Sequence, residues 1–208
     1  MRHRLLLVAL AVSLVGGARA QTGDLPLGLG IAQPVALSAE TPLYFYASAD
    51  AKTPLDSLTV SEGPHHVEIA SAPPWLDPQI AMLDGETVTL RVIGKTRHAV
   101  EVIVHDREVR WPPRTMWLRR EAVTVIPWAD YWLDIHSIET PETSPIHAAP
   151  GREAVGVTES GRPLHVLETR HAWARVAYAD ATEAEAGPLG WIRWHDGTRL
   201  LVRYNVRS

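Results

Sequence analysis

Eight tryptophans and ten histidines in 208 residues are the side chains best suited to binding or coordination, so their spacing decides what chemistry is open. Four aromatic residues gather late in the chain: Trp173, Tyr178, Trp191 and Trp194. Aromatic faces suit sugars and peptides because they bury apolar area without a matching charge. These four are the candidate ligand-binding residues. Trp173 and Trp191 have a second role open to them, sealing a small core. The high average burial of tryptophan favours that role. Trp194 is expected at the surface because it precedes the turn His195-Asp196-Gly197.

The histidines do not assemble into a metal site on paper. His65 and His66 are adjacent, and on a strand they point to opposite faces. His66 and Glu68 would share a face, and His165 could meet His171 across a hairpin. None of these has zinc-site spacing, and His98 and His171 read as solvated turn residues. No metal or other cofactor is expected. Hydrolase signatures are missing too: there is no G-x-S-x-G elbow, H-E-x-x-H helix or phosphate-binding glycine loop. The chain has no cysteine, which removes a thiol nucleophile, a disulfide framework and a Cys-based zinc site. Glu139 with Glu142, and Glu183 with Glu185, lie in linker-like or loop stretches and read as solvated charge. Catalytic residues are therefore expected to be none, and the chain is not expected to be an enzyme.

The first 20 residues read as a leader. Arg2 and Arg4 precede the apolar run from Leu5 to Val15, and Ala18-Arg19-Ala20 fits cleavage before Gln21. The run is shorter than the roughly 20 residues that span a bilayer. Without a cysteine the leader is not of the lipoprotein type, so a periplasmic or secreted location is expected, with no membrane span after cleavage. The full chain has 20 basic and 24 acidic residues, a net −4. Losing Arg2, Arg4 and Arg19 leaves 17 against 24, or −7. That balance argues against nucleic-acid binding, which needs basic stripes to displace counterions.

The elements that must position these residues are strands. Short β-branched, alternating runs occur at 88–93, 99–105, 115–120 and 122–126, and again at 163–168, 172–178, 190–194 and 198–204. Turn signals separate them at Asp84-Gly85, Ser160-Gly161, Gly187-Pro188 and Asp196-Gly197. No capped helical period follows the leader, although 181–187 could form a single turn. The fold class is all-β.

The two strand groups also match in order. Gly85 answers Gly161, RHAV (97–100) answers RHAW (170–173), and MWLR (116–119) answers GWIR 74 residues later. Three ordered matches argue for duplication. The Pro/Thr/Glu-rich IETPETSP (138–145) has linker composition. The expected organisation is a leader at 1–20, an N-terminal segment at 21–40, one unit at 41–137, a linker at 138–144 and a second unit at 145–208.

The second unit resembles a bacterial SH3-like (SH3b) domain. The resemblance rests on APG at 149–151, Gly161 before PLHVL, AWARV ending at Val176, and GWI at 190–192. The first resembles a divergent copy, carried by PLYFYAS (42–48), PPWLDP (73–78) and RTMWL (114–118). It departs at Met116 and Val100, where the second copy has glycine and tryptophan, and it carries a long insertion at 61–85. The resemblance implies two small SH3-like β-barrels in tandem. It further implies an exported, non-catalytic binding module that contacts peptidoglycan or a cell-envelope partner through the aromatic face of the second copy. The alternative is a protein–protein adaptor or structural envelope protein, with Trp75, Ile80 and Met82 of the insertion as the partner surface.

Overall fold

Residues that alternate between buried and exposed along short β-branched runs pair into antiparallel sheets, and two of the three sheets among the described residues, the third being β2-β3-β4, share one pattern. The computed structural model describes residues 25–62, 67–77, 80–82, 87–105 and 114–205. The stretch read as a leader, His65, His66 and the turn expected at Asp84-Gly85 lie outside the described residues. The first group comprises β1 (Gly30–Pro34), β2 (Leu43–Phe45), β3 (Asp56–Glu62), β4 (Val67–Ser71), β5 (Ile80–Met82), β6 (Thr87–Lys95), β7 (Ala99–His105), β8 (Arg114–Arg119) and β9 (Val123–Pro127). A short helix, α1 (Trp128–Asp134), follows. The second group comprises β10 (Ser137–Glu139), β11 (Pro145–His147), β12 (Ala154–Val157), β13 (Leu164–Arg170), β14 (Trp173–Tyr178), β15 (Gly190–Arg193) and β16 (Arg203–Asn205).

The all-β class is observed, with α1 as the one α-helix among the described residues. Seven of the eight expected strand runs are strands throughout most of their length. The eighth, 198–204, forms strand only from Arg203, because the segment before it turns at Gly197 with φ +101°. The expected turn at 181–187 is a single 3-10 turn, Glu183–Glu185.

Strand order repeats between the two groups. The first sheet runs β8-β7-β6-β1-β9, with β5 also on β6. Within the second sheet the run β15-β14-β13-β10-β16 has the same order, and neither sheet closes on itself. Register repeats as well. Val92 faces Val102, and a β-bulge then sets Gly94 opposite Glu101. In the second group Val166 faces Val176, and a β-bulge sets Glu168 opposite Arg175. Val100–Leu118 and Val102–Met116 likewise answer Ala174–Ile192 and Val176–Gly190. A constant offset of 74 residues relates all of these pairs. Ala32 of β1 joins Leu90 to Val125, just as Ile138 of β10 joins Leu164 to Tyr204.

That offset corrects the sequence match of RHAV with RHAW, which slips by one residue. Val100 is equivalent to Ala174, and both are fully buried. Trp173 is equivalent to Ala99. A slip of one residue on a strand moves every side chain to the other face. Trp173 thus stands on the opposite face from the place the sequence match gave it.

Two stretches read as lying outside the units contribute strands to the sheets. Strand β1 lies inside the segment read as an N-terminal extension, and it is an interior strand paired to both β6 and β9. The 138–144 stretch read as a linker begins with Ile138 and Glu139 of β10, and Ile138 is fully buried. The connection between the units is α1. Its buried residues Trp128, Tyr131 and Trp132 fall at i, i+3 and i+4, one face of a helix. Seven residues are too few to hold a helix alone, so packing must hold it.

Two cores result. One contains Leu43, Phe45, Leu58, Leu90, Val100, Val102 and Leu118. The other joins Leu164, Val176, Ile192 and Trp194 to the α1 aromatics, and also takes in Ile31 from β1. Because Ile31 and Ala32 are adjacent on β1, one faces the α1 side and the other the first core. Trp132 is completely buried in the second core. Replacing Trp132 with Ala should lower unfolding free energy by about 3–5 kcal/mol in denaturant titration. A cost below about 1 kcal/mol would show that α1 is peripheral.

Candidate functional site

The β13–β14–β15 meander has an inner face of Leu164, Val166, Ala174, Val176 and Ile192, all in the second core. Residues directly opposite one another across antiparallel strands share a face. The cross-strand sets Arg170–Trp173–Arg193 and Glu168–Arg175–Trp191 therefore lie on the outer face. His147 of β11 continues the second set, since it pairs with Trp191. The approach of β11 depends on Gly190, at φ +139°. A Cβ there would stand 2.7 Å from both His147 O and Ile146 Cγ2.

The four candidate aromatics consequently divide into two pairs. Trp173 is half-buried on the outer face, with its ring edge-on to His147 at 4.9 Å. Trp191 shares that face but is only 6% exposed, and the Arg170 guanidinium lies 4.9 Å from its ring centroid. Tyr178 and Trp194 point the other way. Tyr178 packs on the second core with the Arg162 guanidinium 3.6 Å from its ring. Arg162 also holds Glu159, Asp180 and Glu185 in one exposed ion-pair cluster.

Trp194 is 4% exposed, which corrects the expectation that it faces solvent. Its alternation with Arg193 turns it inward, where it meets Trp132 edge-on at 5.6 Å. There it braces the β13–β14 turn. Its Nε1–H donates to His171 O at 3.0 Å, and its backbone N–H donates to Ala172 O at 3.0 Å. His171 has φ +50°, the one positive φ at a non-glycine among the described residues. That conformation is costly for an L-residue, and an anchored carbonyl is one means of holding it. The turn is the last step before Trp173. Trp194 is therefore a positioning residue for the candidate site.

The adaptor candidates are placed differently. Trp75 is half-buried, edge-on to Phe45 at 5.2 Å, with the Arg114 guanidinium 4.5 Å from its ring. It packs on the first core of its own unit. Ile80 and Met82 belong to β5 and pair with Thr89 and Thr87 of β6. Their side chains lie outside what is described. Among the described residues no group of three or more His, Asp or Glu could hold a metal ion.

Burial first, and then the neighbouring Arg193 charge, lower the His195 pKa, while Asp196 opposes them. Asp196 itself is held far below the usual carboxylate range by hydrogen bonds from Thr198 and Arg199.

His171→Gly should raise stability by about 0.5–1 kcal/mol in denaturant titration, because glycine adopts this φ freely. A loss would mean that the His171 side chain, and not its backbone, holds the turn. For His195 the folded pKa lies below the unfolded value of about 6.5, so the unfolded chain binds the proton first. Stability should fall as pH drops through and below about 6.5, and His195→Gln should flatten that part of a melting-temperature profile. An unchanged profile would contradict the assignment.

No family model matches this sequence, and neither does any curated protein. Among solved structures, the chain is similar to NlpC2 from Trichomonas vaginalis, at 10% identity and a TM-score of 0.30. The match covers 85% of this chain and 48% of that one, so the chain spans about half the length of that structure.

Proposed function

We propose that this chain is a non-catalytic, exported binding module of two SH3-like units that contacts peptidoglycan or a cell-envelope partner through the outer face of the second unit. The observation that carries the reading is the placement of Trp173. It is a half-buried indole at the first position of β14, set against His147 and presented by a turn that Trp194 braces. An indole in that setting offers a flat apolar surface with a rigid support, which suits a sugar ring or an extended peptide. The repeated strand order and register support two units of one ancestry. The leader at 1–20 supports export. Trp75 is engaged with Phe45 in its own unit, which leaves the adaptor reading with less surface to use.

Co-sedimentation with purified peptidoglycan tests this reading, with circular dichroism as the folding control. Saturable binding is expected, and Trp173→Ala should weaken it by roughly thirtyfold, the equivalent of about 2 kcal/mol for a central aromatic anchor. Tyr178→Ala, on the opposite face, should leave binding within about twofold if the fold survives. Equal binding by wild type and Trp173→Ala would place the contact elsewhere.

A further inference from the structure

The outer face of β13–β14–β15 carries three arginines, Arg170, Arg175 and Arg193, against one carboxylate, Glu168. Glu168 is taken by Arg170, Oε1 to Nε at 2.7 Å. Beyond the backbone pairing of their strands, the Arg175 and Arg193 side chains make no hydrogen bond or ion pair among the described residues. They are diagonal neighbours, since Trp191 is opposite Arg175 and Arg193 lies two residues on. Diagonal positions on a sheet are about 7–8 Å apart, within reach of one bound group. The whole chain is acidic, at −4, so this local excess of positive charge runs against the rest of the molecule.

The first unit shows what these positions do when they are satisfied internally. Arg119, the equivalent of Arg193, lies 4.2 Å from the Tyr46 ring. It donates from Nη1 to Ala49 O at 2.9 Å and from Nη2 to Ala51 O. The equivalent of Arg175 is Glu101, which accepts a hydrogen bond from Thr115 Oγ1 at 2.9 Å. Tyr46 itself is equivalent to His147, because Tyr46 bridges to Trp117 as His147 pairs with Trp191. In the second unit His147 is turned to Trp173 instead, and Arg193 has lost both its ring and its carbonyls.

We infer that Arg175 and Arg193 form a carboxylate-binding pair beside Trp173, so the ligand of this face is the carboxylate-bearing peptide portion of peptidoglycan. The inference rests on the proposed function and adds the charge of the ligand to it. A guanidinium donates two parallel hydrogen bonds to a carboxylate, and an adjacent indole covers the neighbouring apolar or sugar surface. Charge complementarity of this kind also steers encounter and makes binding sensitive to salt.

The test compares native sacculi with sacculi whose carboxylates have been amidated by carbodiimide and ammonia, using co-sedimentation of the purified protein. Native sacculi should bind about tenfold more tightly, as expected for charge-assisted contacts. The double variant Arg175→Gln/Arg193→Gln should bind native sacculi only as well as wild type binds amidated ones, with no further loss on the amidated form. Arg193→Lys keeps the charge but not the fork, and it should fall between wild type and the double variant. This milder variant keeps the test informative should the double variant fail to fold. Equal sedimentation with both forms, in a Trp173-dependent manner, overturns the carboxylate pair and leaves the binding reading in place. Sedimentation with neither form overturns both.

Discussion

Trp128 and Trp132 stack at 5.0 Å and 17° within α1, and most of the remaining architecture depends on that pair. A seven-residue helix has no independent stability, so it exists because two surfaces close over it. Ile31 reaches it from the first unit, while Trp194 and Tyr204 reach it from the second. Trp128 is further tied by its Nε1–H to Leu27 O at 2.7 Å, and the Arg91 guanidinium lies 5.5 Å from its ring. From Trp132 the support passes outward in steps. Trp194 packs on Trp132 and holds the His171 carbonyl, and the His171 turn sets the first residue of β14, which is Trp173. The candidate binding residue is thus linked to the helix that joins the units.

Two copies of one topology have solved the same surface problem in different ways. In each, a strand preceding the meander delivers an aromatic or imidazole ring to the strand that carries Trp117 or Trp191. The first copy closes its outer face on itself, with Arg119 seated on Tyr46 and capped by two carbonyls, and Glu101 satisfied by Thr115. It places Ala99 where the second has Trp173. The second copy commits Arg170 to Glu168 and Trp191, leaves the Arg175 and Arg193 side chains without a partner among the described residues, and adds the indole. An exposed polar group that its own fold does not satisfy is satisfied by solvent or by a ligand, and two guanidinia beside a supported indole make the second option chemically specific.

Much of this was legible in the sequence. Alternating β-branched runs located the meander strands, because half-buried strands impose a period of two. The repeat in strand register was legible from the Gly-Trp-Ile-Arg and Met-Trp-Leu-Arg pair, whose 74-residue spacing is the offset of the strand pairing. The Arg-His-Ala match misled because the flanking turn aligns by letter but not by pairing, and one residue decides which face a side chain takes. Trp194 was misplaced for a related reason: proximity to a turn says less than alternation with Arg193. Helix α1 was missed because seven residues give no sustained period, although Trp128, Tyr131 and Trp132 at i, i+3 and i+4 carry the signal. Strand β10 was read as linker because Pro141 and Thr143 dominate the composition just beyond it, while burial of Ile138 is set by partners distant in sequence.

Helix α1, packed against β1 and β9 on one side and β13 on the other, ties the two copies into one cooperative body. Native-state hydrogen exchange of the slowest amides in β7 and β14, the central strands of the two meanders, tests that most directly. One shared opening free energy, moving together as denaturant is added, is the predicted result. Two well-separated values, with one meander opening while the other stays protected, would contradict it.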